Sequence, residues 1–230
     1  MNAKQPAYPL DPDLPIYPTL IHALEVAAET APERDAVICE ERSITYLQYL
    51  RATAGLARLL GGLGAAGERV VTLMGNSIEM AVAMMGSLAA GAEMSPMNPN
   101  FTDRELSGLL SDADPTVLLC DEGVAERMAG LARELGIPHV LHFGPGGLDI
   151  ADWIDDAALD LPRPLPGPDD PSILPYTGGT TGIPKGAQHT HAHITSFFAQ
   201  SMTIWPLGFD HDRFLTVAPM FHIWGNQFAT

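Results

Sequence analysis

The sequence predicts an α/β chain, with a parallel or mixed sheet flanked by helices. Three observations carry that expectation. Short apolar runs alternate with helical stretches from Ala36 onward, the pattern that crossovers over a largely parallel sheet require. Helix starts are marked by Thr or Asn followed three residues later by Gln or Glu, at Thr45/Gln48, Asn76/Glu79 and Thr102/Glu105. That spacing lets each side chain satisfy a free N–H at the other's position. Glycines at Gly61-Gly62 and Gly136 close two of the helical segments, as expected where a left-handed backbone ends a helix.

Residues 1–18 hold five prolines and little periodicity and read as an extended surface arm. Thr19 opens an amphipathic helix carried by Leu20, Ile21, Leu24, Ala27 and Ala28, which stops at Pro32. Ala36–Cys39 is a strand, and a second short strand ends at Ile44 after the polar turn 40–43. A helix from Thr45 to Gly62, a buried strand Arg69–Met74 and a nearly all-apolar helix Ile78–Ala90 follow. Next come a strand Met94–Met97, a helix from Thr102 to about Asp112, a strand Thr116–Cys120, a helix Glu122–Leu135 and a strand Pro138–His142. Leu161–Pro168 carries four prolines in eight residues and is expected to be an extended linker. Beyond it, Ser172–Tyr176 and Gly186–Thr190 read as the two arms of a hairpin. A helix Ala192–Ile204 and a strand Phe214–Val217 complete the series. The expected organisation is an arm (1–18), a first α/β subdomain (19–160), a Pro-rich linker (161–170) and a further region (171–230).

Composition narrows the function classes. A net charge of −16 leaves no basic patch with which to neutralise a nucleic-acid backbone. Two cysteines, Cys39 and Cys120, are too few for a secreted disulfide scaffold, and both lie in apolar runs as buried thiols would. No basic segment followed by an apolar core opens the chain, and the apolar run Ile78–Ala92 is shorter than the roughly 20 residues that span a bilayer. A cytoplasmic protein without a transmembrane segment is expected.

The hairpin tip, Tyr176-Thr-Gly-Gly-Thr-Thr-Gly-Ile-Pro-Lys-Gly186, carries the chemistry. Gly178, Gly179 and Gly182 free the backbone to turn successive N–H groups onto an anion. Thr177, Thr180 and Thr181 add neutral donors, and Lys185 adds a compact charge suited to a phosphate. The order differs from a Walker A loop, which needs Gly-Lys-Ser/Thr leading directly into a helix. The chain has two lysines, Lys4 and Lys185, against ten arginines, so its only interior lysine is in this loop. The alternating His189, His191 and His193 raise a different possibility, a three-imidazole metal site of a hydrolase. A helix starting near His191 would throw His193 off the face shared by the others, so no metal ligand is assigned.

The loop resembles the phosphate loop of the AMP-forming adenylating enzymes, whose members include acyl-CoA synthetases, aryl-CoA ligases, luciferases and peptide-synthetase adenylation domains. Ile44-Thr-Tyr-Leu-Gln-Tyr-Leu50, Leu88 to Pro99, Phe101-Thr-Asp-Arg-Glu-Leu106 and Pro219-Met-Phe-His-Ile-Trp-Gly225 resemble further elements of the family in the same order. The resemblance covers about residues 19–230 and implies the front part of the large N-terminal domain of an adenylate-forming ligase. It implies ATP with Mg²⁺ and coenzyme A as substrates alongside a carboxylic acid, with acyl-AMP and then a thioester as products. Thr177, Gly178, Gly179, Thr180, Thr181, Gly182 and Lys185 would hold the β- and γ-phosphates, Lys185 assisting departure of pyrophosphate. His222 would orient the carboxylate or gate the acyl tunnel. Gly178, where many relatives have Ser, points to a fatty or other hydrophobic acid. A homodimer is compatible with the resemblance. Family members run to roughly 500 residues, beyond the usual size of one domain; this chain is therefore expected to be inactive alone, as a portion of a longer parent. The contrasting expectation is a truncated, non-catalytic binding module.

Overall fold

The computed structural model describes residues 17–177, 185–204, 212–223 and 225. The chain opens with helix α1 (Leu20–Thr30), whose Thr19 hydroxyl accepts from the His22 N–H. Strands β1 (Asp35–Cys39) and β2 (Arg42–Thr45) form a small antiparallel pair, turning at Glu40 in the left-handed region (φ 54°). Helix α2 (Tyr46–Gly62) starts at the expected box: the Thr45 hydroxyl accepts from the Gln48 N–H, and the Gln48 side chain accepts from the Thr45 N–H.

The central block alternates as the sequence predicts: β3 (Arg69–Leu73), α3 (Ile78–Ala89), β4 (Glu93–Pro96), α4 (Asp103–Ala113), β5 (Val117–Asp121), α5 (Glu122–Leu135) and β6 (His139–Phe143). A short helix α6 (Ala151–Ile154) and β7 (Pro171–Ile173) follow. Then come β8 (Tyr176–Thr177), β9 (Lys185–Gly186), β10 (His189–Thr190) and α7 (His191–Ile204). Six strands join in the order β10-β7-β4-β3-β5-β6, all parallel except β10, which pairs antiparallel at the edge. The Pro-rich run thus leads into a strand that adds to the sheet begun by β3. Leu161 within it is buried in the core.

Alternation along the strands builds two apolar layers. Val70, Val117 and Leu119 face helices α1–α3, while Val71, Leu73, Leu118 and Cys120 face α4 and α5. Helices α2 and α3 approach closely at Gly86, where a Cβ would stand 2.7–2.8 Å from three side-chain carbons of Leu56. No described helix is long and apolar enough to cross a membrane.

Three local expectations are corrected. Asn76 does not cap α3; Ser77 does, its hydroxyl accepting from the Met80 N–H at 3.0 Å. Glu79 is drawn instead to Arg42, 2.6 Å away on β2. Phe214–Val217 does not form a strand, and Leu215 and Val217 are about four-fifths exposed. Cys39 is half-buried rather than fully buried, because β1 belongs to the small outer pair and not to the central sheet.

Candidate active site

The expected hairpin is present. Strands β8 and β9 pair antiparallel with Tyr176 opposite Gly186 and Thr177 opposite Lys185, and the Thr177 hydroxyl donates to the Lys185 carbonyl at 3.4 Å. The two arms therefore bring Thr177 and Lys185 together, both exposed, at the mouth of the loop. Gly178, Gly179, Thr180, Thr181 and Gly182 lie outside the described residues. Gly186 packs closely: a Cβ there would stand 2.9 Å from Leu174 Cδ1 and 3.4 Å from the Tyr176 ring, so the leucine would have to shift.

Both arms are tied to the rest of the fold by polar contacts. On the incoming arm, Leu174 N–H donates to the Met94 carbonyl at 2.8 Å, and the Ser95 hydroxyl donates to the Leu174 carbonyl at 2.7 Å. The Tyr176 hydroxyl donates to Asp112 Oδ2 at 2.6 Å, at the end of α4. Burial, then the Asp112 carboxylate, push the Tyr176 phenol above its ordinary range, so it stays a donor. On the outgoing arm, Ala187 N–H donates to the Pro175 carbonyl at 3.0 Å, and Gln188 Nε2 donates to Glu93 Oε1 at 2.7 Å. The other Glu93 oxygen accepts from Arg69 Nε at 2.8 Å, and Arg69 Nη1 donates to the Ala113 carbonyl at 2.8 Å. Glu93 is only 6% exposed, and its hydrogen bond holds the Arg69 guanidinium above its ordinary pKa. Sequence reasoning missed Arg69, Glu93, Asp112 and Gln188; the one legible signal, for the first two alone, was a charged residue opening a strand that is otherwise buried.

The histidine triplet divides, though not along the expected line: His191, rather than His193, is set apart from the other two. His193 completes a cap on α7: its N–H donates to the Thr190 hydroxyl at 3.4 Å, and its Nδ1 accepts from the Thr190 N–H at 3.2 Å. Its ring meets that of His189 edge-on at 5.9 Å. His191 points elsewhere, only 1% exposed, with Nε2 lacking a hydrogen-bond partner. Burial pushes His191 down to about 4, and lowers His189 as well. Among the described residues no group of three or more His, Cys, Asp or Glu is arranged to hold a metal.

His222 is positioned from the opposite end of β3. Just past that strand, Asn76 reaches across 142 residues: its Nδ2 donates to the Ala218 carbonyl at 3.0 Å, and its Oδ1 accepts from the Met220 N–H at 2.7 Å. Only one orientation of the amide satisfies both. Met220 is buried in the core, and the His222 N–H donates to the Pro219 carbonyl at 2.9 Å, closing a turn that leaves the His222 side chain exposed. Glycine at 225 permits that turn, since a Cβ would stand 2.2 Å from the Pro219 carbonyl oxygen. The loop and the histidine element therefore have separate anchors, one at each end of β3.

Residues 24–229 match the AMP-binding enzyme family. The chain is 33% identical over 184 residues to a long-chain-fatty-acid–CoA ligase, FadD13, of Mycobacterium tuberculosis, covering 78% of this chain and 36% of that protein. It is 31% identical over 194 residues to a dimodular nonribosomal peptide synthase of Bacillus subtilis, covering 84% of this chain and 8% of that protein. Its fold superimposes on the crystal structure of a long-chain-fatty-acid-CoA ligase, FadD1, from Archaeoglobus fulgidus with a TM-score of 0.84 and 26% identity, over 95% of this chain and 46% of that one. The chain thus spans less than half the length of each of these relatives.

Proposed function

Since the chain belongs to the AMP-binding enzyme family, matched from residue 24 to 229, we propose that it is the front portion of a ligase that activates a carboxylic acid with ATP. The observation that carries the reading is the hairpin register, which sets Thr177 opposite an exposed Lys185 at the two ends of the Gly- and Thr-rich loop. In the first half-reaction a carboxylate oxygen attacks the α-phosphorus of Mg-ATP. The bond from that phosphorus to the bridging oxygen breaks, and pyrophosphate leaves with the electron pair. N–H groups around Gly178, Gly179 and Gly182, the hydroxyls of Thr177, Thr180 and Thr181, and the Lys185 ammonium hold the β- and γ-phosphates. They stabilise charge as it builds on the leaving group. His222, held out to solvent by its turn, orients the incoming carboxylate. In the second half-reaction a thiol, in this reading that of coenzyme A, attacks the acyl carbon and AMP departs.

A fatty or other hydrophobic acid is the substrate class supported by the Gly178 variant and by the fatty-acid–CoA ligases among the relatives. The 230-residue chain is expected to form no acyl-CoA by itself. The parent's two expected regions (19–160 and 171–230), its cytoplasmic location and a homodimeric assembly belong to the same reading. Its test is Lys185→Ala in the complete parent. A preorganised donor of this kind is worth about 3–4 kcal/mol in the transition state. Acid-dependent ATP–pyrophosphate exchange should fall roughly 10²–10³-fold, with a smaller rise in the KM for ATP. Thioester formation from supplied acyl-AMP, which no longer carries pyrophosphate, should be nearly unchanged. Equal loss in both half-reactions would remove Lys185 from this role.

A further inference from the structure

We propose that Gln188 and Glu93 form a brace that sets the position of Lys185, making Gln188 a positioning residue of the phosphate loop; the inference rests on the ligase reading above. Gln188 is exposed and adds nothing to either apolar layer. Its amide nevertheless reaches a carboxylate 95 residues away in sequence, at 2.7 Å. That carboxylate cannot swing to follow it. Glu93 is the first residue of β4, nearly buried, with its second oxygen held at 2.8 Å by Arg69, itself fastened to the end of α4 through the Ala113 carbonyl. A rigid acceptor built from three elements thus meets a side chain three residues past Lys185.

The rest of the outgoing arm explains why such a brace matters. Strand β9 is only Lys185 and Gly186, and β10 only His189 and Thr190. Between them, among the described residues, the one backbone bond to the incoming arm is Ala187 N–H to the Pro175 carbonyl. A two-residue ladder next to a glycine does not by itself hold a long side chain to the tolerance that charge stabilisation needs. The incoming arm has its own tie, Tyr176 to Asp112 at 2.6 Å. The two ties pull both arms onto the same region of the fold, at the starts of β3 and β4 and the end of α4. Lys185 is thereby fixed relative to Thr177, not merely tethered near it.

Two measurements test this. In the complete parent, acid-dependent ATP–pyrophosphate exchange is measured with octanoate, dodecanoate and palmitate. Gln188→Ala should lower exchange about tenfold or more, the scale on which small misplacements act. Gln188→Glu should lower it further, because it sets two carboxylates against each other. Combined with Lys185→Ala, Gln188→Ala should cost nothing more, since the brace acts through that lysine. In the 230-residue chain, hydrogen exchange of the Ala187 amide should be faster in Gln188→Ala than in the wild type. Wild-type exchange rates in Gln188→Ala, effects that add fully to those of Lys185→Ala, or unchanged protection of Ala187 would each overturn the brace. A wild-type parent inert with every acid, together with faster Ala187 exchange in the variant, would instead reject the ligase reading and leave the brace standing.

Discussion

Lowering the pH should weaken this fold through one buried ring. His191 is shielded from water, its Nε2 has no partner, and burial depresses its pKa from 6.5 to about 4. Asp170 opposes that shift and His22 adds to it. In the unfolded chain the imidazole takes up a proton near its ordinary value, whereas the folded chain resists doing so until about pH 4. The unfolded state therefore binds more protons between those limits, so stability is intact above 6.5 and falls as acid is added. The full difference of the two values corresponds to roughly 3 kcal/mol. By about pH 5, roughly 2 kcal/mol of it is lost. Urea unfolding of the wild-type chain and of His191→Leu, each at about pH 7.5 and about pH 5, isolates this contribution from the other titrating groups. The wild type should lose roughly 2 kcal/mol more than the variant between the two conditions. Equal losses would mean that the ring is solvated or protonated in the folded state, and the burial argument would fail.

Three further substitutions follow from the packing and from the Asn76 clamp. Gly86→Ala should destabilise by about 1–2 kcal/mol despite its better helix propensity, because its Cβ would meet Leu56 Cβ at 2.8 Å and no rotamer moves that atom away. Gly108→Ala, exposed in α4 with nothing within 4 Å, should instead stabilise by up to about 1 kcal/mol; thermal melts of the two variants should move in opposite directions. Asn76→Ala removes both bonds to the 218–220 segment and should raise the KM for the acid by about tenfold while leaving that for ATP near wild type. Steady-state kinetics on the parent decide it, and a rise confined to ATP would place the clamp under the wrong element.

Features set by neighbours in sequence were legible; features set by distant partners were not. The Thr45/Gln48 and Thr102/Glu105 boxes are local, and both occur as expected. Asn76/Glu79 shows the same spacing but fails, because Asn76 has a stronger claim on Ala218 and Met220, and adjacent Ser77 is equally able to cap. The hairpin was legible because glycine, threonine and Pro-Lys-Gly punctuate a turn between two short strand-like arms. The Arg69–Glu93–Gln188 chain was not, since nothing local relates a glutamate opening β4 to a glutamine 95 residues later. The histidine triplet was ambiguous as spacing alone. The start of α7 at His191 resolves it, turning His193 back to cap Thr190 while His191 enters the core.

The late arrival of β7 has a consequence for synthesis on the ribosome. Strand β4 acquires its outer neighbour only when residues 171–173 appear; Ser95 and its partner Leu174 lie 79 residues apart. At the usual translation rate of about 5–20 residues per second, the β3–β6 block would emerge with that flank bare for roughly 4–16 seconds. An unpaired strand edge is a template for any other nascent chain nearby. Strand β4 carries two guards against such pairing: a carboxylate at its first residue, Glu93, and at its last Pro96, which has no N–H to offer. The glutamate that later receives Gln188 would thus serve first to keep the growing polypeptide from sticking to its neighbours.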